Sequence, residues 1–383
     1  MQPFTWICCN KTYSKRNSAL KHWQRVHDGS PDDFPVTSRR GQRSHEANNL
    51  LWVQITSSWS TLPSNHPHFP KGIALLHYFK AMHVPVHRGI TQDIQDAFTT
   101  EPKAYHINND VIASTIAKDN TISSDAALLS TASGDLEPRL TKGHLFAAFE
   151  TMAQAPSNLD NSEDLCAILN LQPTIAGLLG CKPRVPSAFH EYGITKSPTP
   201  EISTAYTPRG HVTDLHIDSM YEGTVVTTLL GRKVLFQWPP SEHNLGLIKR
   251  FHWLADEWLL YALYDKLIDV KITLCHHGTT EYIPPGGFHA VLSLDNSAMT
   301  GYGIVHPSML SDVDRLAAWE LEHASDLQRD GDPHHGIPTI LASHKNDLNT
   351  WMHLINKHLM TPYRPSIVAL HQRLSDAMTK LSQ

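Results

Sequence analysis

The sequence has few cysteines, few charged residues and no long apolar run. Its five Cys among 383 residues are scattered and too few for a disulfide framework, which favours a reducing compartment. No run of about 18 apolar residues is present, so we expect no membrane span. The N-terminus is polar and basic, without the apolar core of a signal peptide. These absences predict an intracellular, soluble globular protein.

Acidic residues are scarce in the first 45 positions. This segment carries eight Lys or Arg against three Asp, whereas the remainder carries 24 basic residues against 34 acidic ones. A basic arm on an acidic body favours attraction to nucleic acid, and we expect DNA contact through residues 1–45, with Lys15, Arg16, Lys21 and Arg25 as candidates. A solvated, disordered tail would have the same composition. The charge pattern alone leaves both interpretations open.

Residues 1–28 contain three of the four ligands of a C2H2 zinc finger. Cys9, His22 and His27 have the expected spacing, but Trp6 stands where the first Cys belongs. A degenerate finger, a finger whose upstream part is missing from this sequence and a chance match in a basic helix all fit. We predict a degenerate or truncated finger-like module, in which a three-ligand zinc site would be weak.

Four further segments follow this module. Residues 29–48, rich in Pro, Gly, Ser and charge, predict a basic linker. Residues 49–185 form a mixed helical region, with helical character expected at 145–152 and 164–170. Residues 186–310 carry strand signals, and residues 311–383 have two helical apolar stripes, the second beginning near Pro365. The stripes pack onto the preceding domain or, alternatively, form a groove for a partner.

Short β-branched and aromatic runs dominate residues 186–310. Gly223–Leu230 and Lys233–Trp238 predict a hairpin across Gly231-Arg232. Further strands are predicted at 269–275, 280–283, 289–294 and 298–305, and residues 245–267 predict a helical insertion. Many short strands with one helical insertion indicate a small barrel or a two-sheet jelly roll.

Thr213-Asp-Leu-His-Ile-Asp218 and the later His289 suggest a metal site. His216 and Asp218 point to one face of a strand, and His289 follows a Pro-Pro-Gly-Gly turn. Two His and one carboxylate are the ligands of non-haem Fe(II) oxygenases, and they leave room for a chelating co-substrate and oxygen. With 26 His in the chain, about two or three such His-x-acid pairs would occur by chance. A hydrogen-bonded core His216 beside a turn-capping Asp218 therefore stays open.

Lys233 strengthens the metal-site hypothesis. It stands next to Val234, Leu235 and Phe236, where an unpaired ammonium is costly. A dicarboxylate ligand would supply an anionic partner, and the hydroxyl of Thr213 would contact the same carboxylate. The alternative is a strand-end Lys that reaches solvent after the preceding turn.

Taken together, T-D-L-H-I-D, G-R-K-V-L-F-Q-W-P-P and Y-I-P-P-G-G-F-H-A-V resemble the JmjC domain of Fe(II)- and 2-oxoglutarate-dependent oxygenases, the lysine demethylases above all. The motifs cover about residues 190–310. The resemblance implies a mainly β catalytic core, a double-stranded β-helix of the jelly-roll or cupin type, with flanking N- and C-terminal helices. It also implies that His216, Asp218 and His289 are the catalytic iron ligands. Thr213 and Lys233 would bind the distal carboxylate of 2-oxoglutarate.

Two positions depart from the family's pattern. Seven residues before Lys233, where this branch has a tyrosine that contacts 2-oxoglutarate, the chain has Val226, and Thr228 or Tyr221 is a candidate substitute. Gly303 stands where the family often has an Asn near the iron. These departures put methyl-lysine specificity in doubt more than oxygenase chemistry.

The resemblance implies a dioxygenase that acts on protein in the nucleus. The implied reaction is histone lysine demethylation by N-methyl hydroxylation, with a histone tail as partner. A protein side-chain hydroxylase, a catalytically inactive JmjC protein that binds or regulates chromatin, and a cupin-like binding or storage barrel are the alternatives. The candidate ligands favour the enzymes, Val226 and Gly303 leave room for the inactive protein, and Lys233 speaks against the storage barrel.

Overall fold

The computed structural model describes residues 6–8, 11–13, 39–91, 128–130, 136–138, 167–171, 194–195, 203–251, 258–305, 309–329, 351 and 362–381. The helices are α1 (Arg39–Ser60), α2 (Phe69–Ala81), α3 (Glu242–Phe251), α4 (Leu259–Leu263), α5 (Leu310–Arg329) and α6 (Arg364–Leu381). The strands of the first half are β1 (Trp6–Cys8), β2 (Lys11–Tyr13), β3 (Val86–Arg88), β4 (Ile90–Thr91), β5 (Leu128–Ser130), β6 (Leu136–Pro138), β7 (Ala167–Leu171) and β8 (Ile194–Thr195). Those of the second half are β9 (Ser203–Thr207), β10 (Val212–Ile217), β11 (Gly223–Leu230), β12 (Lys233–Trp238), β13 (Lys271–Cys275), β14 (Thr279–Ile283), β15 (Phe288–Ser293) and β16 (Ser297–Val305). None of these helices is long and apolar enough to span a bilayer.

Two sheets form the body of the described chain. One contains β10, β15, β12, β13 and β3 in that order, and its neighbours are antiparallel except for the parallel pair β13–β3. The other follows the order β4-β14-β11-β16-β9-β7-β5-β6, with β8 beside β16. The fold is therefore mainly β, with two sheets and flanking helices, and is compatible with a jelly-roll or cupin-like architecture.

Gly223–Leu230 and Lys233–Trp238 do not form the predicted hairpin, so that prediction is wrong. β11 pairs with β14 and β16 in one sheet, whereas β12 pairs with β13 and β15 in the other. Gly231, whose φ is 71°, adopts a left-handed conformation that glycine tolerates, in the short link that carries the chain between the sheets. Every residue of β12 is buried, which fits a strand covered on both faces better than a half-exposed hairpin.

A second prediction, helical character at residues 164–170, also fails for the described residues 167–170. Ala167–Leu171 is a strand, not helical, and it pairs with β5 and β9. The apolar run is too short to distinguish a helix from a buried strand by its pattern, and pairing with neighbouring strands decides the outcome.

The N-terminal predictions are tested only in part. Helix α1 already begins at Arg39, inside the segment predicted as a linker, and its buried residues Trp52, Ile55 and Trp59 supply the packing that stabilises it. The candidate zinc ligands Cys9, His22 and His27 lie outside the described residues, as does the segment 145–152. The zinc site therefore stays a prediction.

The strands predicted at 269–275, 280–283, 289–294 and 298–305 are confirmed within two residues at each end, as β13 to β16. The helical insertion is confirmed in part, as α3 and α4, and the last apolar stripe as α6. Ile367 and Leu370 of that stripe are buried, so they pack onto the body of the protein.

Apolar side chains fill both the space between the sheets and their outer faces. Between the sheets lies a small inner cluster, which consists of Val226, Leu235, Cys275, Ile283, Val291 and Met299. On the outer face of the five-stranded sheet, Phe79 of α2 packs against Phe236 and Trp238, with ring centroids 5.5 and 6.2 Å apart. Side chains of β12 alternate between these two environments, as the pleat of a strand requires.

Candidate metal centre

His216, Asp218 and His289 come together at one end of the space between the sheets. Each offers one ligand atom, and these atoms all lie within 4.8 Å of one another. Asp218 Oδ1 is 3.5 Å from Nε2 of His216 and 3.5 Å from Nε2 of His289. Ligand atoms bound at right angles to one divalent first-row metal lie about 3 Å apart, given metal–nitrogen distances of about 2.1 Å. The three side chains are close to the arrangement that a metal would need.

Backbone carbonyls orient both imidazoles. Nδ1 of His216 lies 2.8 Å from the carbonyl oxygen of Asp214, and Nδ1 of His289 lies 3.4 Å from that of Gly287. Because a carbonyl only accepts, each Nδ1 must be a protonated donor, and in the neutral imidazole Nε2 then has a free lone pair. This is how metal-binding His side chains are usually held.

The charges at the centre are strongly coupled. Burial opposes ionisation of Asp218, but the charge of His289 and a hydrogen bond from His216 outweigh burial and lower the pKa of the Asp218 carboxyl. Burial and the nearby His216 lower the pKa of His289 to about 4. Burial also disfavours the charged form of His216, but Asp218 outweighs it and raises the pKa of His216. An ionised carboxylate and a neutral His289 are the protonation states that metal binding requires.

Exposure differs among the three side chains. His289 is 6% exposed, while His216 and Asp218 are 41% and 31% exposed. One side of the cluster is therefore closed by protein, and the other faces solvent, where ligands reach it.

The local fold of three segments fixes this geometry. His216 of β10 is the register partner of His289 of β15, and an irregularity in the pairing separates it from Thr213. Such a bulge re-aims the side chains that follow it. The Gly286 N–H donates to the carbonyl oxygen of Ser219 at 2.8 Å, which ties the turn before His289 to the residue after Asp218.

Lys233 is 2% exposed and lies on the inner face of the five-stranded sheet. Its register partners are Cys275 on β13 and Ser293 on β15. Burial lowers the pKa of Lys233 to about 8, and the Cys275 thiol only partly opposes this. No ion pair of Lys233 is formed within the described part of the chain. The structure therefore contradicts the alternative in which Lys233 reaches solvent. It confirms the prediction that the ammonium group is buried.

The other singled-out residues are also near the inner face. Thr213 is half-buried and pairs with Val291 of the inner cluster. Val226 is itself a member of that cluster, so its position offers no polar group. At Gly303, a Cβ would stand 2.4 Å from the carboxylate atoms of Glu222, so that side chain occupies the room beside the glycine.

The sequence did not indicate two side chains that support the site. The Asp214 carboxylate accepts hydrogen bonds from the N–H groups of Leu259 and Leu260 at 3.0 and 2.9 Å, and so caps α4. A hydrogen bond from Thr224 stabilises the ionised Asp218. The capping partners of Asp214 are 45 and 46 residues away, and nothing in the local pattern signals such a contact.

Comparison with known proteins gives a partial match. No family model matches the chain. A stretch of 120 residues, 30% of the chain, is 30% identical to the JmjC domain-containing histone demethylation protein 1 of Caenorhabditis elegans. The matched stretch spans only 10% of that relative's length. This similarity supports the JmjC resemblance of the motifs and says nothing about the zinc-finger-like N-terminus.

Proposed function

We propose that this protein is an Fe(II)- and 2-oxoglutarate-dependent oxygenase that acts on protein, with residues 186–310 as its catalytic unit. The observation that carries the proposal is the convergence of two imidazole Nε2 atoms and one carboxylate oxygen within 4.8 Å, at a site partly open to solvent. Two His and one carboxylate with open positions are the ligand set of non-haem Fe(II) oxygenases. The finer fold assignment that goes with it is a double-stranded β-helix.

The residues present fit the iron and the co-substrate. His216, Asp218 and His289 would hold the metal, and Lys233 and Thr213 would bind the distal carboxylate of 2-oxoglutarate. The bound iron and co-substrate would supply oxidation of a substrate C–H bond by molecular oxygen, with succinate and carbon dioxide as co-products.

The chain's own contribution is binding, charge and exclusion of water. The carbonyl groups of Asp214 and Gly287 keep both Nε2 lone pairs available for the metal. Lys233 would neutralise the co-substrate carboxylate in a space lined by the inner apolar cluster, where a charge-assisted contact is stronger than in water. The exposed edges of His216 and Asp218 mark the side from which a substrate would approach.

For the substrate, we propose histone lysine demethylation in the nucleus, because the similar Caenorhabditis elegans protein carries histone demethylation in its name. Stable hydroxylation of a protein side chain is the second candidate. Val226 and Gly303, where the family has polar side chains, favour a third, a JmjC protein that binds or regulates chromatin without turnover. Contacts of residues 1–45 with DNA and zinc binding by Cys9, His22 and His27 complete the proposal.

The experiment is turnover of 2-oxoglutarate to succinate by the full chain with Fe(II) and methylated histone peptides. Wild-type protein should form succinate, His216→Ala should not, and His243→Ala, which changes an exposed His of α3, should match wild type. Formaldehyde release would identify demethylation, whereas a mass increase of one oxygen would identify hydroxylation. Iron binding without any turnover would favour the inactive protein. The absence of both iron binding and turnover would refute both enzyme functions.

A further inference from the structure

We infer that the hydroxyl groups of Thr228 and Thr273 bind the distal carboxylate of 2-oxoglutarate together with Lys233. These two threonines would replace the tyrosine that is absent at Val226. The inference rests on the proposed function. It chooses Thr228 over Tyr221, the two candidate substitutes in the sequence, and adds Thr273, which no motif indicates.

Both threonines are fully buried, and their hydroxyls lack a strong acceptor. Thr228 and Thr273 are each 0% exposed, and within the described part of the chain neither Oγ1 has an oxygen or nitrogen partner. The Thr228 hydroxyl contacts the Cys275 thiol, which is only a weak acceptor. Buried hydroxyls are nearly always hydrogen-bonded. Two buried hydroxyls without an oxygen or nitrogen partner in the space between the sheets therefore indicate that an acceptor is missing.

The strand register puts both threonines on the inner face with Lys233. Thr273 is the partner of Leu235, and Thr228 is the partner of Met299, and both of these partners belong to the inner cluster. Thr273 lies on the five-stranded sheet, as Lys233 does, whereas Thr228 comes from the opposite sheet. Cys275 lies between them: it is the register partner of Lys233, it stands two residues after Thr273 on β13, and its thiol contacts the hydroxyl of Thr228.

Other buried hydroxyls nearby are hydrogen-bonded to one another. Thr207 Oγ1 lies 2.7 Å from Ser293 Oγ and 2.9 Å from Ser297 Oγ, so these three groups satisfy one another at the Lys233 end of the space. Thr227, next to Thr228 but on the opposite face, pairs with Thr280 at 2.9 Å. Only Thr228 and Thr273 among these threonines have hydroxyls left for a ligand.

A carboxylate matches the chemistry of the three groups. It only accepts hydrogen bonds and has two oxygens with about four lone-pair sites. Two neutral hydroxyls and one ammonium, all donors, would satisfy it and its charge at once. The apolar side chain of Val226 would line the methylene groups of the co-substrate, since it lies in the inner cluster.

The test is the affinity of the Mn(II)-loaded full chain for 2-oxoglutarate, measured by isothermal titration calorimetry. Thr228→Val and Thr273→Val each keep the side-chain shape and remove only the hydroxyl. Each should raise Kd about 10- to 100-fold, the range for a hydrogen bond to a charged group. Thr227→Val is the matched control, and its Kd should equal that of wild type. Affinity for 2-oxovalerate, which has a methyl group in place of the distal carboxylate, should not change in any variant.

Thermal unfolding provides a second readout. Because the substitutions remove unpaired buried hydroxyls, Thr228→Val and Thr273→Val should melt no lower than wild type, whereas Thr227→Val should melt lower. Wild-type binding of 2-oxoglutarate that neither threonine variant weakens would overturn this inference and leave the proposed function standing. Absence of 2-oxoglutarate binding by metal-loaded wild type would overturn both.

Discussion

Replacing Lys233 by Met should stabilise the folded protein while abolishing its response to 2-oxoglutarate. The ammonium is fully enclosed, and burial lowers its pKa from 10.5 to about 8. One pKa unit corresponds to about 1.4 kcal/mol, so burying the charged form costs about 3 kcal/mol. Met has a similar unbranched shape without the charge, and a gain of this order is therefore expected at pH 7.

The sign of the pH dependence follows from linkage. Between about pH 8 and 10.5 the unfolded chain binds a proton at Lys233 that the folded chain does not, so wild-type stability rises with pH in that window. The gain in unfolding free energy of Lys233→Met over wild type is therefore largest below about pH 8 and vanishes above about pH 10.5. Because other groups titrate equally in both proteins, the difference between them isolates Lys233.

Urea unfolding at pH 7 and pH 10.5, with and without co-substrate, is the assay. At 100 times its Kd, 2-oxoglutarate should stabilise metal-loaded wild type by about 2.7 kcal/mol and leave Lys233→Met unchanged. A variant that is less stable than wild type at pH 7, or an advantage independent of pH, would refute the reasoning about the buried charge.

Three glycine substitutions test the packing of the protein and should give contrasting results in urea unfolding. Gly231→Ala should cost about 1–3 kcal/mol, because φ is 71° and the new Cβ would stand 2.4 Å from the backbone oxygen of Asn296. Gly72→Ala should cost about 1–3 kcal/mol, because its Cβ would meet the buried ring of Trp59 at 2.1 Å. Gly246→Ala, where a Cβ meets open space in α3, should stabilise by about 0.5–1 kcal/mol. Equal effects at the three positions would contradict this account of the packing.

The sequence predicted most of the strand positions and the grouping of the candidate metal ligands, because both depend on local patterns. A strand brings His216 and Asp218 to one face, and the Pro-Pro-Gly-Gly turn marks where the strand of His289 begins. Lys233 was predictable as buried because its neighbours on the strand are apolar.

Contacts between distant segments were not predictable in the same way. The link at Gly231 fits a hairpin as well as a crossover between sheets, and only the pairing partners of β11 and β12 decide between them. Helical character was predicted for residues 164–170 because their apolar run does not show the pairing with distant strands that makes Ala167–Leu171 a strand. Thr228 was one of two candidates and Thr273 belongs to no motif. That both line the same interior space follows only from the way the two sheets face each other.

Fe(II) binding under anaerobic conditions tests the central claim most directly, since both proposed enzyme functions of the site begin with the metal. Wild-type protein should bind Fe(II) through His216, Asp218 and His289, and Asp218→Ala should lose that binding. His243→Ala, which alters an exposed imidazole elsewhere, should retain it. Wild-type protein that binds no Fe(II), or Asp218→Ala that binds as much as wild type, would contradict the account.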